Sequence, residues 1–267
     1  MKIKNLHKQQ NWKGFYSNQQ LIQSRPKNGI FTSYDIFLCD TFFQKYLPTY
    51  SNQKKDKPKI CEIGSGNGKL VKKFADMLNY QAYGIEYRKE ESIMARKNGV
   101  HTFVKNAFDN VVLQKYKNYF DIVFSYGFVE HILPPEKAIE LHVDLLKPGG
   151  YFVIQIPRFK GFNLWKLKFF RPDYVAAHNL DIMNYDILEK LCSLPNTQKL
   201  FCANYGTIKL RIPMEKKGLK YFLLKILCSI EFILNPLLRA LFGDKGFETD
   251  FFSPCVIYIG KKIKTAI

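Results

Sequence analysis

Between Lys59 and Pro157 the chain alternates short apolar runs with amphipathic stretches, again and again. "KICEI" (59–63), "QAYGIE" (81–86), "HTFVK" (101–105), "FDIVFS" (120–125) and "YFVIQIP" (151–157) have the length and composition of buried strands. "GKLVKKFADML" between the first two places Leu70, Val71, Phe74, Met77 and Leu78 on one helical face. "KEESIMARKNG" is helical and ends at Gly99, a natural C-cap. "PPEKAIELHVDLLK" opens a helix with proline in its first turn. The turn Pro148-Gly149-Gly150 then leads into the fifth strand. Such alternation predicts an α/β fold: a doubly wound, mostly parallel sheet with helices on both faces. Ligands of these sheets bind beyond the carboxyl ends of the strands. Those ends carry Glu62–Gly68, Glu86, Lys105–Phe108, Ser125–His131 and the residues after Pro157.

The flanks are organised differently, within one domain of 267 residues. Residues 1–58 are expected to be an N-terminal helical extension. "SYDIFLCDTFFQKYL" puts Ile36, Phe37, Cys39, Phe42, Phe43 and Tyr46 on one stripe, with Ser33 as N-cap, and "SNQKKDKP" follows as a polar linker. Residues 158–183 are basic and aromatic without a clean period, as a lid over a substrate would be. There Phe159, Phe162, Trp165, Phe169, Phe170 and Tyr174 are candidates to line a pocket, and Lys160, Lys166, Lys168 and Arg171 to meet an anionic group. "NYDILEKLC" is a short helix. "QKLFCANYGTIKLRIP" is a strand with a bulge or turn at Gly206, and "FFSPCVIYIGKK" is the last strand. Between these two lies an apolar insertion, residues 217–243, interrupted by Pro236.

The loop "EIGSGNGKL" after the first strand narrows the ligand. A phosphate-binding loop needs a glycine five positions before Gly68-Lys69 and a hydroxyl after it; Ile63 and Leu70 occupy those places. The dinucleotide fingerprint GxGxxG requires a third glycine where Lys69 stands. The observed spacing is GxGxG, preceded by the acidic Glu62.

This combination resembles the first motif of the class I S-adenosylmethionine (SAM)-dependent methyltransferases. "YGIEYRKE", "VKNAFDN", "YFDIVFSYGFVEHI" and "LLKPGGYFVIQIP" are similar to the family's later motifs, in the right order, over residues 59–157. The resemblance implies a seven-stranded sheet with an antiparallel last strand, and SAM as cofactor. It implies a cofactor site made of Glu62, Gly64, Ser65, Gly66, Gly68, Glu86, Tyr87, Asn106, Ala107, Ser125 and Tyr126. Glycines admit the cofactor close to the backbone. A carboxylate at the position of Glu86 accepts two hydrogen bonds from ribose hydroxyls. Many relatives carry Asp near the adenine amine; here the matching residue is Asn106, with Asp109 as the alternative. The Glu130-His131 pair is common in the branch that acts on small molecules, lipids and quinones.

Methyl transfer needs a nucleophile in line with the methyl group, and a hydroxyl nucleophile benefits from a general base. His131 is the best-placed candidate and His178 the next, with Glu130 to orient either one. The place after the fourth strand reads "SYGFVEH", without the Asn/Asp-Pro-Pro-aromatic motif of amino-methylating nucleic-acid enzymes. No cysteine there serves as a cytosine-C5 nucleophile. The acceptor is therefore expected to be an oxygen, with a carbon or another nitrogen as the lesser alternatives, of a small, lipid-linked or glycan-precursor substrate. The rival expectations are an RNA methyltransferase and a non-catalytic SAM-binding module.

The net charge of +18 motivates the RNA alternative, but the lysines are spread along the whole chain and no RNA-binding module is visible. Six scattered cysteines without a CxxC pair fit a reducing cytoplasm and give no zinc motif, so no metal is expected. The N-terminus lacks an apolar core of the secretory type. In the 217–243 insertion, Lys220, Lys225, Glu231, Asn235 and Arg239 fall within roughly 140° on a helical wheel, and the remaining face is apolar. Recurrent charges and Pro236 argue against a membrane span. The apolar face is expected to pack on the protein's own sheet, on a homodimer partner, or in an anionic membrane interface beside Lys209, Arg211, Lys216 and Lys217.

Overall fold

Seven strands form one sheet: β1 (Lys59–Ile63), β2 (Gln81–Glu86), β3 (His101–Val104), β4 (Phe120–Tyr126), β5 (Leu146–Pro157), β6 (Thr197–Tyr205) and β7 (Cys255–Lys262). Their spatial order is β3-β2-β1-β4-β5-β7-β6. The first five run parallel, and β7 lies antiparallel to both β5 and β6. The computed structural model describes residues 3–5, 43–51, 56–212, 214, 217–242 and 248–263. Ser33, Ile36, Phe37, Cys39, Phe42, Lys216 and the Arg239 side chain lie outside the described residues.

The strands alternate their side chains between two apolar layers. Ile60, Ile122, Phe124, Val153 and Ile257 face a layer completed by α1 (Lys69–Leu78) and α2 (Lys89–Lys97). Cys61, Ile63, Val123, Ile154 and Ile156 face the other. That layer is closed by α3 (Asn110–Tyr116), α4 (Pro135–Leu145), and further along by α5 (Gly161–Phe170), α6 (Pro172–Ala176) and α7 (Tyr185–Cys192). Phe43, at the end of the N-terminal extension, stacks on Phe74 of α1 with ring centroids 3.7 Å apart. The extension is thereby tied into the first layer. Lys4 and Asn5 pair antiparallel with Leu133 and Ile132, just past His131.

Four details differ from the sequence reading. Helix α3 has no counterpart in it; Asp109 caps this helix by accepting a hydrogen bond from Val111 N at 2.9 Å. Strand β5 starts at Leu146, and the Pro-Gly-Gly residues form a bulge within it, between the pairs Phe120–Leu146 and Ile122–Tyr151. A Cβ on Gly150 would lie 2.9 Å from the Asp121 carbonyl, so the bulge needs glycine there. Strand β6 ends at Tyr205, because Gly206 takes a φ of 88° and turns the chain away. The apolar insertion is one continuous helix, α8 (Gly218–Phe242), running through Pro236. An interior proline costs about 3 kcal/mol of helix stability. Bonds to the neighbouring segment 207–211 offset that cost on the turn before it.

Those bonds come from the polar stripe. Glu231 Oε2 accepts from Leu210 N (2.8 Å) and Arg211 N (3.2 Å). Asn235 accepts from Thr207 Oγ1 (2.6 Å) and donates to Ile208 O (2.9 Å). Lys220 Nζ donates to Phe169 O at 3.0 Å. The polar side of α8 thus faces the protein. The stripe Phe222, Ile226, Ile230, Ile233, Leu237 and Leu241 faces outward, with Ile233 71% exposed. Packing of this face on the protein's own sheet does not occur.

Candidate active site

At the end of β1 the backbone turns through three left-handed glycines, Gly64 (φ 76°), Gly66 (50°) and Gly68 (73°). Gly64 N and Ser65 N donate to Ile85 O at 2.9 and 3.3 Å, which fastens the turn to β2. The glycines differ in what they face. A Cβ on Gly68 would stand 2.8 Å from Val100 Cγ2 and 2.9 Å from Ala95 Cβ, so this position is filled by the protein itself. A Cβ on Gly66 would meet nothing within 4 Å. Gly66 therefore borders open space at the strand ends.

Glu86 ends β2 beside this space. Its Oε2 accepts from Gly66 N at 2.9 Å, and its Oε1 from Arg88 N at 2.9 Å. Oε1 also accepts from Arg88 Nε at 3.4 Å, and of the roughly four acceptor positions of a carboxylate the one left lies on Oε2. Glu62, one strand over, is buried. Ser65 turns its side chain onto β2, where only a glycine fits: a Cβ on Gly84 would lie 2.4 Å from Ser65 Oγ. At the end of β3, Asn106 is exposed and its Oδ1 accepts from Phe108 N at 3.2 Å, while Ala107 is buried. Asp109, the alternative, is occupied as the α3 cap. Tyr87 stands out at the surface. Ser125 is fully buried at 0% exposure, and its hydroxyl has no hydrogen-bond partner among the described residues. Tyr126 packs partly buried against the first apolar layer.

Beyond β4 the chain makes a short turn of 3-10 helix, Val129–His131. Phe128 leans back over the glycine loop, 3.3 Å from where a Gly64 Cβ would be. Gly127 makes room for Glu130, whose Oε1 would lie 3.3 Å from a Cβ there. Glu130 is 1% exposed, and its Oε2 has no partner among the described residues. Burial pushes its carboxyl up to about 8. His131 Nδ1 bonds Ala177 O at 2.9 Å, and His178 Nδ1 bonds Tyr174 O at 2.7 Å. A carbonyl only accepts, so each Nδ1 carries a proton. The two imidazoles lie 4.4 Å apart between centroids, and His131 Nε2 is 3.8 Å from Glu130 Oε1. Burial lowers the His131 pKa to about 4. Phe159 and Tyr174 wall His178, with ring centroids 4.8 and 4.5 Å from it. The structure thus brings together His131 and His178, 47 positions apart in the chain, with Glu130.

The remaining segment 158–183 divides. Trp165 and Phe169 face outward, Trp165 at 65% exposure, and do not line a pocket. Lys166 is buried and donates to Lys209 O and Asn163 Oδ1, so its ammonium is engaged within the protein. Arg171 pairs with Asp173 at 2.6 Å. Arg158, which the sequence reading passed over, is 6% exposed at the end of β5. Its Nε and Nη1 lack partners among the described residues, and Asp250 stands 3.9 Å from Nη2. Desolvation lowers its pKa.

The glycine turn, the acidic end of β2 and the 3-2-1-4-5-7-6 sheet have counterparts in known proteins. A family model described as a methyltransferase domain matches residues 35–193, more than half of the chain. The chain belongs to the methyltransferase-domain family. Among its relatives is the ubiquinone/menaquinone biosynthesis C-methyltransferase of Wigglesworthia glossinidia brevipalpis. It is 24% identical over 203 residues, 71% of this chain and 74% of that one. The ubiquinone biosynthesis O-methyltransferase of Shewanella sp. (strain ANA-3) is 26% identical over 98 residues, covering 35% of this chain and 41% of the relative. A phosphoethanolamine N-methyltransferase 2 of Haemonchus contortus, solved with SAM, shares the fold. Its TM-score is 0.51 at 15% identity, over 86% of this chain and 53% of that chain.

This methyltransferase is a SAM-dependent class I enzyme, and its own residues fit the cofactor. Open space at Gly66 leaves the backbone approachable, and Glu86 has acceptor capacity beside it. What the sequence reading missed in the enzyme is Gly84, Arg158 and α3. Gly84 had a signal, a glycine inside a strand. Arg158 had none, because its burial is set by residues far away in the chain.

Proposed function

We propose that this methyltransferase transfers a methyl group to an oxygen of a small, apolar or lipid-linked acceptor presented at a membrane surface. Glycan precursors carried on lipid belong to the same class. The observation that carries the reading is the outward apolar stripe of α8 beside the exposed Trp165 and Phe169. An apolar face of this size with lysines around it suits the boundary of an anionic bilayer. The polar stripe bonded to residues 207–211 favours a helix lying in the interface over one crossing it. Quinone biosynthesis in the names of two relatives, one a C- and one an O-methyltransferase, supports a small-molecule acceptor. No disulfide joins the described cysteines, in agreement with a cytoplasmic location.

SAM, when bound, supplies an electrophilic methyl group on a sulfonium. Gly64, Gly66 and Gly68, with the backbone of Ser65, Ala107 and Ser125, shape its cradle. Glu86 holds the ribose hydroxyls, Glu62 favours the ammonium group, Asn106 accepts from the adenine amine, and Tyr87 and Tyr126 border the site. The Nε2 atoms of His131 and His178 receive the acceptor hydroxyl and its proton. Arg158 binds an anionic group of the acceptor, which would satisfy its guanidinium. Residues 158–183 act as the lid.

Flotation with anionic vesicles at low salt, and methyl label from SAM into a lipid extract, test the reading. Binding to vesicles with label in lipid is expected. Absence of vesicle binding overturns the membrane part. Label in RNA, with tight and salt-sensitive RNA binding, would establish the RNA alternative instead. Calorimetry that finds neither SAM nor its demethylated product bound would remove the enzyme reading.

A further inference from the structure

Glu130, His131 and His178 each bring a ligand atom to within 4.8 Å of the others, and all three are buried. They come from two separate elements, the turn after β4 and the turn after α6. Both histidines give their Nδ1 proton to a backbone carbonyl, which aims the other nitrogen inward. That outer arrangement is the one metal-bound histidines adopt, because it fixes ring orientation and tautomer. Glu130 Oε2 has no hydrogen-bond partner among the described residues, although a buried carboxyl without one is costly. His131 Nε2 stands 3.8 Å from Glu130 Oε1, beyond hydrogen-bond length and close enough for both to reach one ion.

We propose that Glu130, His131 and His178 form a binding site for one divalent transition-metal ion of the zinc class. Two imidazoles and one carboxylate are a known donor set for such ions and leave a position open. Ligand bonds of about 2.0–2.2 Å require the donors to close by about 1 Å from their present spacing. The open position takes the acceptor oxygen and the ion lowers the hydroxyl pKa, so its proton passes to solvent; in this arrangement the two imidazoles are ligands and replace the base role given above. The site departs from the sequence expectation, which found no metal motif. Its existence stands on the cluster alone; its role rests on the oxygen-acceptor reading above.

The test uses the full chain, stripped with chelator and titrated with Zn²⁺ or Co²⁺. One ion per chain is expected, and Co²⁺ is expected to develop the visible absorption of a low-coordinate N₂O site. Glu130→Gln and His178→Ala are each expected to weaken uptake at least tenfold while binding the demethylated cofactor within twofold of the parent. X-ray absorption of the zinc-loaded parent should show two imidazoles and oxygen in the inner shell, a readout that does not depend on the variants folding. No stoichiometric uptake by the parent overturns the proposal. So does uptake unchanged in both variants, or an inner shell without imidazole. Loss of methyl transfer to every hydroxyl acceptor with metal binding intact would instead remove the oxygen-acceptor reading alone.

Discussion

On the donor side, contacts are local and made by backbone: three left-handed glycines, Ile85 O and the Gly66 N–H held by Glu86 lie within 23 residues of one another. On the acceptor side, contacts are distant and made by side chains. His131 meets the Ala177 carbonyl, Arg158 faces Asp250, and Glu231 reaches the backbone of Leu210. A backbone-built site tolerates almost no change of residue type but any change of surroundings. A site built from side chains across elements is rebuilt whenever one element moves. The first arrangement suits a constant ligand and the second a variable one.

The sharpest way to break the donor side is Gly68→Val. A side chain at φ 73° that also meets Val100 and Ala95 is expected to cost about 4 kcal/mol in chemical denaturation. A loss under about 1 kcal/mol would mean that the turn is not packed as described. Next is Glu86→Ala, expected to weaken the demethylated cofactor about a hundredfold, or about 3 kcal/mol, in calorimetry. An unchanged affinity would remove Glu86 from the cofactor site.

The packed layer beneath the histidine pair is probed by pH. His142 of α4 is fully buried, with Nδ1 on Ala138 O at 2.7 Å, and burial lowers its pKa to about 4 from an ordinary 6.5. Between those values the unfolded chain binds more protons, so stability falls as pH falls. His142→Leu is expected to lose about 2 kcal/mol less than the parent between pH 7 and pH 5, measured by denaturant unfolding. Parallel pH curves for the two proteins would contradict a buried, neutral His142. The smallest effect belongs to Gly66→Ala, about 1 kcal/mol of stability from its φ of 50°. Cofactor binding is nonetheless expected to fall at least tenfold, because the new methyl occupies the open space. Equal cofactor affinity would show that the space is not the binding site.

The same contrast explains what the sequence disclosed. The five strands of the parallel core, the helices α1, α2 and α4, and the insertion between the last two strands follow from periodicity and turn residues. They depend on interactions a few residues long. The inward polar stripe of α8 also shows on a helical wheel, but its direction does not: Glu231 and Asn235 point inward because residues 207–211 offer them backbone partners. Trp165 and Lys166 adjoin in sequence and part ways in space, one exposed and one buried, which no local pattern in the basic lid segment distinguishes. Asp109 is ambiguous in sequence between ligand contact and helix cap, and a neighbouring N–H decides for the cap.

Strand β6 leaves the sheet at Tyr205 and β7 re-enters it at Cys255, and these two residues are paired directly across the ladder. Everything from residue 206 to residue 254, α8 included, is a closed excursion whose two ends already meet. A short hairpin joining the same two strands would preserve their register. The apolar helix is thus carried on a detachable cassette, one that recombination can swap or delete without rethreading the strands beneath the glycine turn.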